Sequence, residues 1–102
     1  AQILTRDRRR STLDSMAEFL IETYAPDVVT ATSGIKRVGD SAARRRAAGT
    51  PVHVLHTIFM PDDQTTLVLF EAPAEADVHE TMNDAGLTVD GPAVEVLTVG
   101  AA

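Results

Sequence analysis

Residues 54–73 read VLHTIFMPDDQTTLVLFEAP. Two apolar runs flank a short acidic turn. Pro61 presets φ for a turn, and Asp62 and Asp63 can bond their own backbone, so the stretch reads as a β-hairpin. A sheet with one wet face alternates apolar and polar residues, and these runs do not. With a period of two, Val52, Val54, His56, Ile58 and Met60 share one face of the first strand. His53, Leu55, Thr57 and Phe59 share the other. In the second strand, Thr65–Ala72, Leu67 and Leu69 oppose Val68 and Phe70. Both faces are apolar, so each needs a cover.

Upstream, Phe19–Tyr24 is a third strand, rich in β-branched and aromatic residues and closed by Pro26. Phe19 and Ile21 oppose Leu20 and Tyr24, so this strand too is greasy on both sides. Residues 28–48 suit a helix, because Val28, Ala31, Ile35, Val38 and Ala42 form one stripe at three- and four-residue spacing. Gly34 and Gly39 each weaken it by about 1 kcal/mol relative to alanine. The expectation is a helix broken near them, with Asp40 or Ser41 capping a second piece. Gly49 and Pro51 end it. Downstream, Pro73 suits a first helical residue, and Glu75 and Asp77 complement a helix N-terminus. Ala74, Val78, Met82 and Ala85 form the second helical stripe, which Gly86 ends. VDGP (89–92) is a turn, and Ala93–Val99 is the last strand.

The order is β-α-β-β-α-β, a split βαβ pattern. The fold class is α+β, with a four-stranded antiparallel sheet and both helices on one face. That leaves the second face bare. A second copy of the chain, sheet against sheet by two-fold symmetry, is the simplest cover. An N-terminal arm folding back and a different partner protein are the alternatives.

The chain has 102 residues, the size of one domain. Such a domain buries only a modest core, which self-association would supplement. It holds four aromatic residues and no tryptophan, too few for stacking platforms on single-stranded nucleic acid. The absence of cysteine excludes disulfides and thiolate sites and fits a reducing cytoplasm. No apolar run approaches the roughly 18–20 residues that span a bilayer, and the arginines near the start precede no apolar stretch of a secretory signal.

The net charge of −6 is unevenly spread. Residues 1–15 carry four arginines, Arg6, Arg8, Arg9 and Arg10, against two aspartates, which gives +2. The remainder carries five basic and thirteen acidic side chains, which gives −8. An acidic body argues against binding duplex DNA. Residues 1–15 read as a basic N-terminal arm, a candidate partner-binding segment, ahead of a domain over 16–102. Arg44–Arg46 read as a solvated helix face near the C-terminal end of the helix dipole.

The segments FLIETYAP (19–26), GTPVHVLHTIFMPDDQTTLVLFEAPAEADV (49–78) and AGLTVDGPAVEVLTV (85–99) resemble the small bacterial ferredoxin-like domains whose named member is a nickel-binding protein. The likeness covers about residues 17–99. It implies a βαββαβ sandwich, usually dimeric, and a metal role.

The candidate nitrogen donors are His53, His56 and His79. Regular alternation puts His53 and His56 on opposite faces, so they do not chelate one ion as a pair. A site at His56, Glu22 and Glu71, with imidazole and carboxylate donors, would suit nickel or zinc. The ends of the strands Phe19–Tyr24 and Thr65–Ala72 that carry Glu22 and Glu71 lie apart in this topology, so convergence calls for two chains. The competing reading is edge carboxylates in water and an interface histidine. His79 and Asn83, at i and i+4, read as a solvated helix face. A ligand pocket lined by Tyr24, His56 and Phe70, beside Glu22, would fit a cofactor-independent enzyme of the dimeric α/β-barrel type, by analogy of fold. No nucleophile–base–acid set is legible, and the serines fall where hydroxyls cap helices. Three functions stand: a small dimeric protein that binds a ligand or a divalent transition metal, an interaction or assembly domain using the open sheet and the arm, and the barrel-type enzyme.

Overall fold

The computed structural model describes residues 16–99. The elements are β1 (Ala17–Tyr24), α1 (Val28–Ala47), β2 (His53–Met60), β3 (Thr65–Ala72), α2 (Glu75–Asp84) and β4 (Val94–Val96). They form one four-stranded sheet in the order β2-β3-β1-β4. Every neighbouring pair is antiparallel. This is the ferredoxin-like βαββαβ arrangement that the sequence implies.

The hairpin forms where the sequence places it. Its turn closes with Gln64 in the left-handed region at φ 50°. The Gln64 carbonyl accepts the Ala25 N–H at 2.9 Å, which ties the turn to the end of β1. Along β3 the burial alternates strictly, with Thr66, Val68, Phe70 and Ala72 buried. Along β1 the buried set is Phe19, Ile21 and Thr23. These residues face the helices, and Phe19, Ile21, Val68, Phe70 and Ala72 join Val38, Ala42, Val52, Val78 and Met82 in one core. Burying a side chain such as Phe70 or Ile21 stabilises the fold by about 1.5–3 kcal/mol.

α1 is one unbroken helix of 20 residues, which corrects the expected break. Tertiary packing outweighs the two glycines. Gly34 is buried where a Cβ would stand 3.3 Å from the Leu87 side chain, so the glycine permits that approach. Gly39 faces open space. Ser41 caps nothing; its buried hydroxyl donates to the Thr81 carbonyl at 3.0 Å and locks α1 to α2. The N-cap is Asp27, whose carboxylate accepts the Thr30 N–H at 2.8 Å. That amide hydrogen bond, foremost, holds the Asp27 carboxyl below its ordinary pKa. Pro73 lies just outside α2, whose N-cap is Ala74.

Two strands differ from expectation. β2 carries a bulge: Val54 pairs with Phe70 and His56 with Leu69, which leaves Leu55 as the extra residue. The faces assigned to β2 by regular alternation therefore hold only downstream of Leu55. Val54, Thr57 and Phe59 face the helices, while His53, His56, Ile58 and Met60 pair with open-face residues of β3. β4 is shorter than Ala93–Val99. Its register matches Glu18 with Val96, and β1 begins at Ala17, so the ladder runs out of partner. At the other end β1 pairs with the approach to β4 instead, through a Thr23–Val89 bridge and an Asp90 N–H donated to the Glu22 carbonyl at 2.9 Å. Among the described residues no helix is long and apolar enough to cross a membrane.

Candidate functional site

The register lays out the open face of the sheet as four cross-strand rows. Met60, Thr65 and Tyr24 form the first, and Ile58, Leu67 and Glu22 the second. His56, Leu69, Leu20 and Val94 form the third, and His53, Glu71, Glu18 and Val96 the fourth. The two middle rows make a band of five aliphatic side chains, bordered by Met60, Tyr24 and Val96. Neither helix covers it, and Ile58, Tyr24 and Val94 each keep more than half of their surface exposed, at 56%, 57% and 55%. The charged groups on this face are the carboxylates of Glu18, Glu22 and Glu71; no lysine or arginine stands among these rows. The Glu18 carboxylate accepts a hydrogen bond from the Thr98 hydroxyl.

His56, Glu22 and Glu71, the metal donors read from the sequence, all lie on this face but in different rows. Glu71 pairs with Glu18, and Glu22 stands four residues further along β1, about 13 Å away at ~3.3 Å per residue. Among the described residues, no three histidine or carboxylate side chains converge closely enough to hold a metal ion. The bulge corrects the placement of His53 and His56: their β3 partners, Glu71 and Leu69, both belong to the open face, so the two histidines share it.

Tyr24, His56 and Phe70 do not form a pocket. Phe70 is fully buried on the helix face, while Tyr24 and His56 are exposed on the other side. The sheet separates them. Arg6, Arg8, Arg9 and Arg10 lie outside the described residues.

The other polar residues turn out to hold the fold together. Arg45 pairs with Glu80 at 3.0 Å and with Asp84, both on α2. Each pair contributes about 0.2–1 kcal/mol, given the exposure of the carboxylates. Arg46 donates to the Val52 carbonyl. These two arginines therefore bind α2 and the start of β2 rather than standing free in water. His79 Nε2 accepts the Ala93 N–H at 3.2 Å and lies 3.3 Å from Glu75, so it anchors the approach to β4.

A second feature lies on the opposite side of the sheet. Ala31, Thr32 and Ile35 of α1 face Thr57 and Phe59 of β2 and Thr66 of β3 across a cleft of about 220 Å³. Small side chains on both walls leave this space. Thr66 is buried, and its hydroxyl has no hydrogen-bond partner among the described residues. Sequence reading passed over Thr66, although a threonine at an inward position of β3, in step with Val68 and Phe70, was the available signal.

A scan against protein-family models finds no match to this chain. A search of curated proteins also finds none. Among solved structures, a de novo designed protein with ferredoxin fold, determined in solution by NMR, is similar at 17% identity. The alignment covers 85% of this chain and 89% of the designed one, with a TM-score of 0.46.

Proposed function

We propose that this chain is a small homodimeric binding protein, with its two copies packed face to face through the open sheet. The observation that carries the reading is the uncovered band of Ile58, Leu67, Leu69, Leu20 and Val94. A contiguous apolar patch on a soluble domain marks an interaction surface. Three strands of eight residues and a fourth of three give the face a projected area of roughly 400–450 Å² before side-chain relief, at ~3.3 Å per residue and ~4.8 Å between strands. A face-to-face pair of that area lies at the low end of interface sizes. Glu18 and Glu71 lie at one end and Glu22 at the β1 side of a middle row, so the aliphatic side chains can desolvate while the three carboxylates stay at the margin of the contact. A second copy offers the matching apolar band by symmetry.

Binding of a divalent transition metal, nickel included, fits this reading with donors from both copies, since the described residues of one chain gather no three. His53, His56 and Glu71 would be the contributors from each.

Sedimentation equilibrium on the wild type and on Leu69→Lys tests the dimer. The expected result is a dimer for the wild type and a folded monomer for the variant. A wild type that stays monomeric at every concentration overturns the reading. A partner protein that binds the same face as tightly in Leu69→Lys as in the wild type would also overturn it. Calorimetric titration with nickel and zinc tests the metal version: heat that disappears in His56→Ala supports it, and no heat ends it.

A further inference from the structure

We infer that the cleft between α1 and the β2–β3 edge is a binding site for a neutral, mostly apolar small molecule carrying one hydroxyl or carbonyl group, which Thr66 engages. This names a ligand for the binding protein proposed above, but it does not depend on the dimer, because the cleft lies on the opposite face of the sheet.

Three observations converge. The first is size. The cleft holds about 220 Å³, and a cavity of ~150 Å³ accommodates benzene, so there is room for about nine non-hydrogen atoms. The second is chemistry. The walls are Val28, Ala31 and Ile35 against Phe59, with the hydroxyls of Thr32 and Thr57 and no charged side chain. The nearest carboxylate in sequence, Asp27, is turned to the Thr30 amide as the helix cap. An ionised ligand would enter without a counter-charge, so a neutral one is favoured.

The third observation is Thr66. Its side chain is buried and its Oγ1 is unpartnered among the described residues. A buried hydroxyl without a hydrogen bond destabilises the fold that contains it. Thr23, its neighbour across the sheet, is satisfied by the Thr88 carbonyl. Thr66 also borders a smaller space of about 20 Å³ that extends toward Thr23 and Gly34. Thr66 therefore lies between the two spaces, where a χ1 turn would present its hydroxyl to a polar group of a ligand while an apolar body lies against Ile35 and Phe59. Thr32 is not a second anchor, since its hydroxyl donates to the Val28 carbonyl within the helix.

The test is an NMR titration of the ¹⁵N-labelled chain with p-ethylphenol, with ethylbenzene and with p-toluate. With p-ethylphenol, amide shifts are expected at Ala31, Ile35, Thr57 and Thr66. The affinity should fall about fivefold in Thr66→Val and return in Thr66→Ser. Ethylbenzene should bind wild type and Thr66→Val alike, and p-toluate should bind more weakly than p-ethylphenol. The free Thr66→Val protein should melt at a higher temperature than the wild type, because it no longer buries an unpartnered hydroxyl. Ala31→Leu, which fills the cleft, should abolish the shifts. Equal affinity of wild type and Thr66→Val for p-ethylphenol overturns the inference, as do shifts confined to Leu67 and Leu69 on the open face, or none at all. The oligomer is measured on the same samples: a monomer that binds sinks the dimer and keeps the cleft, and a dimer that does not bind does the reverse.

Discussion

The two faces of the sheet both have an apolar middle, and their fates are opposite. On one, Phe19, Ile21, Val68 and Phe70 meet α1 and α2 and are nearly or wholly buried. On the other, Leu20, Leu67, Leu69 and Ile58 meet neither helix among the described residues and remain half-buried or exposed. The strands are the same, and so is the hydrogen bonding. Topology alone separates them, because both crossovers of the βαβ units fall on one side. The first face shows how the domain folds. The second points to what it associates with.

The comparison breaks most sharply at adjacent residues. Phe70→Ala should cost about 3–5 kcal/mol in denaturant unfolding, because it opens a cavity between sheet and helices. If the loss is instead below ~1 kcal/mol, the helix face is not the core. Leu69→Lys, one residue away, should leave the monomer folded while weakening the dimer by two orders of magnitude or more, an anchor-sized effect of at least ~2.7 kcal/mol. Global unfolding of Leu69→Lys would show that the open face belongs to the fold itself.

Deleting Leu55 sharpens the comparison further. It removes the bulge and leaves Val54 and His56 opposite Phe70 and Leu69, as they already are. Both faces survive, so the cost should stay below about 1.5 kcal/mol by thermal unfolding. Deleting Thr57 instead also removes the bulge, but it turns the His56 imidazole to the helix face opposite Val68 and should cost more than deleting Leu55.

The smallest expected effect lies away from the sheet. Asp27→Ala should lower the melting temperature at neutral pH by removing the α1 cap. The folded carboxyl has a depressed pKa, so its contribution is present above the unfolded pKa and fades as pH falls through the folded one. Wild-type and variant melting curves should therefore converge in acid. A gap that persists or widens there would contradict the cap.

Element order and the two-sided grease were legible because each rests on local signals: the Pro61–Gln64 turn, the helical stripes, and the alternation along β1 and β3. The bulge was not legible. HVLHTIFM contains no glycine, and its paired apolar Val54–Leu55 and polar His56–Thr57 do not single out Leu55 as the extra residue, so a period-two reading runs straight through it. That single slip separated His53 from His56 on paper. The intact course of α1 across Gly34 and Gly39 was also hidden, since Leu87 and Thr81, which hold the helix, lie far along the chain. Arg45 and Arg46 looked like solvent charges for the same reason. The orphaned hydroxyl of Thr66 depends on what stands around it in space, which pattern alone does not reveal.

The most direct measurement is an isotope-filtered NOE experiment on a mixture of labelled and unlabelled chains. Contacts between subunits should appear at the methyls of Leu20, Leu67, Leu69 and Ile58 and be missing from Val38 and Val78. Intermolecular contacts that map to the outer surfaces of α1 and α2, or none at concentrations where the chain is otherwise well behaved, would contradict the claim that a second copy shields the bare side of the sheet.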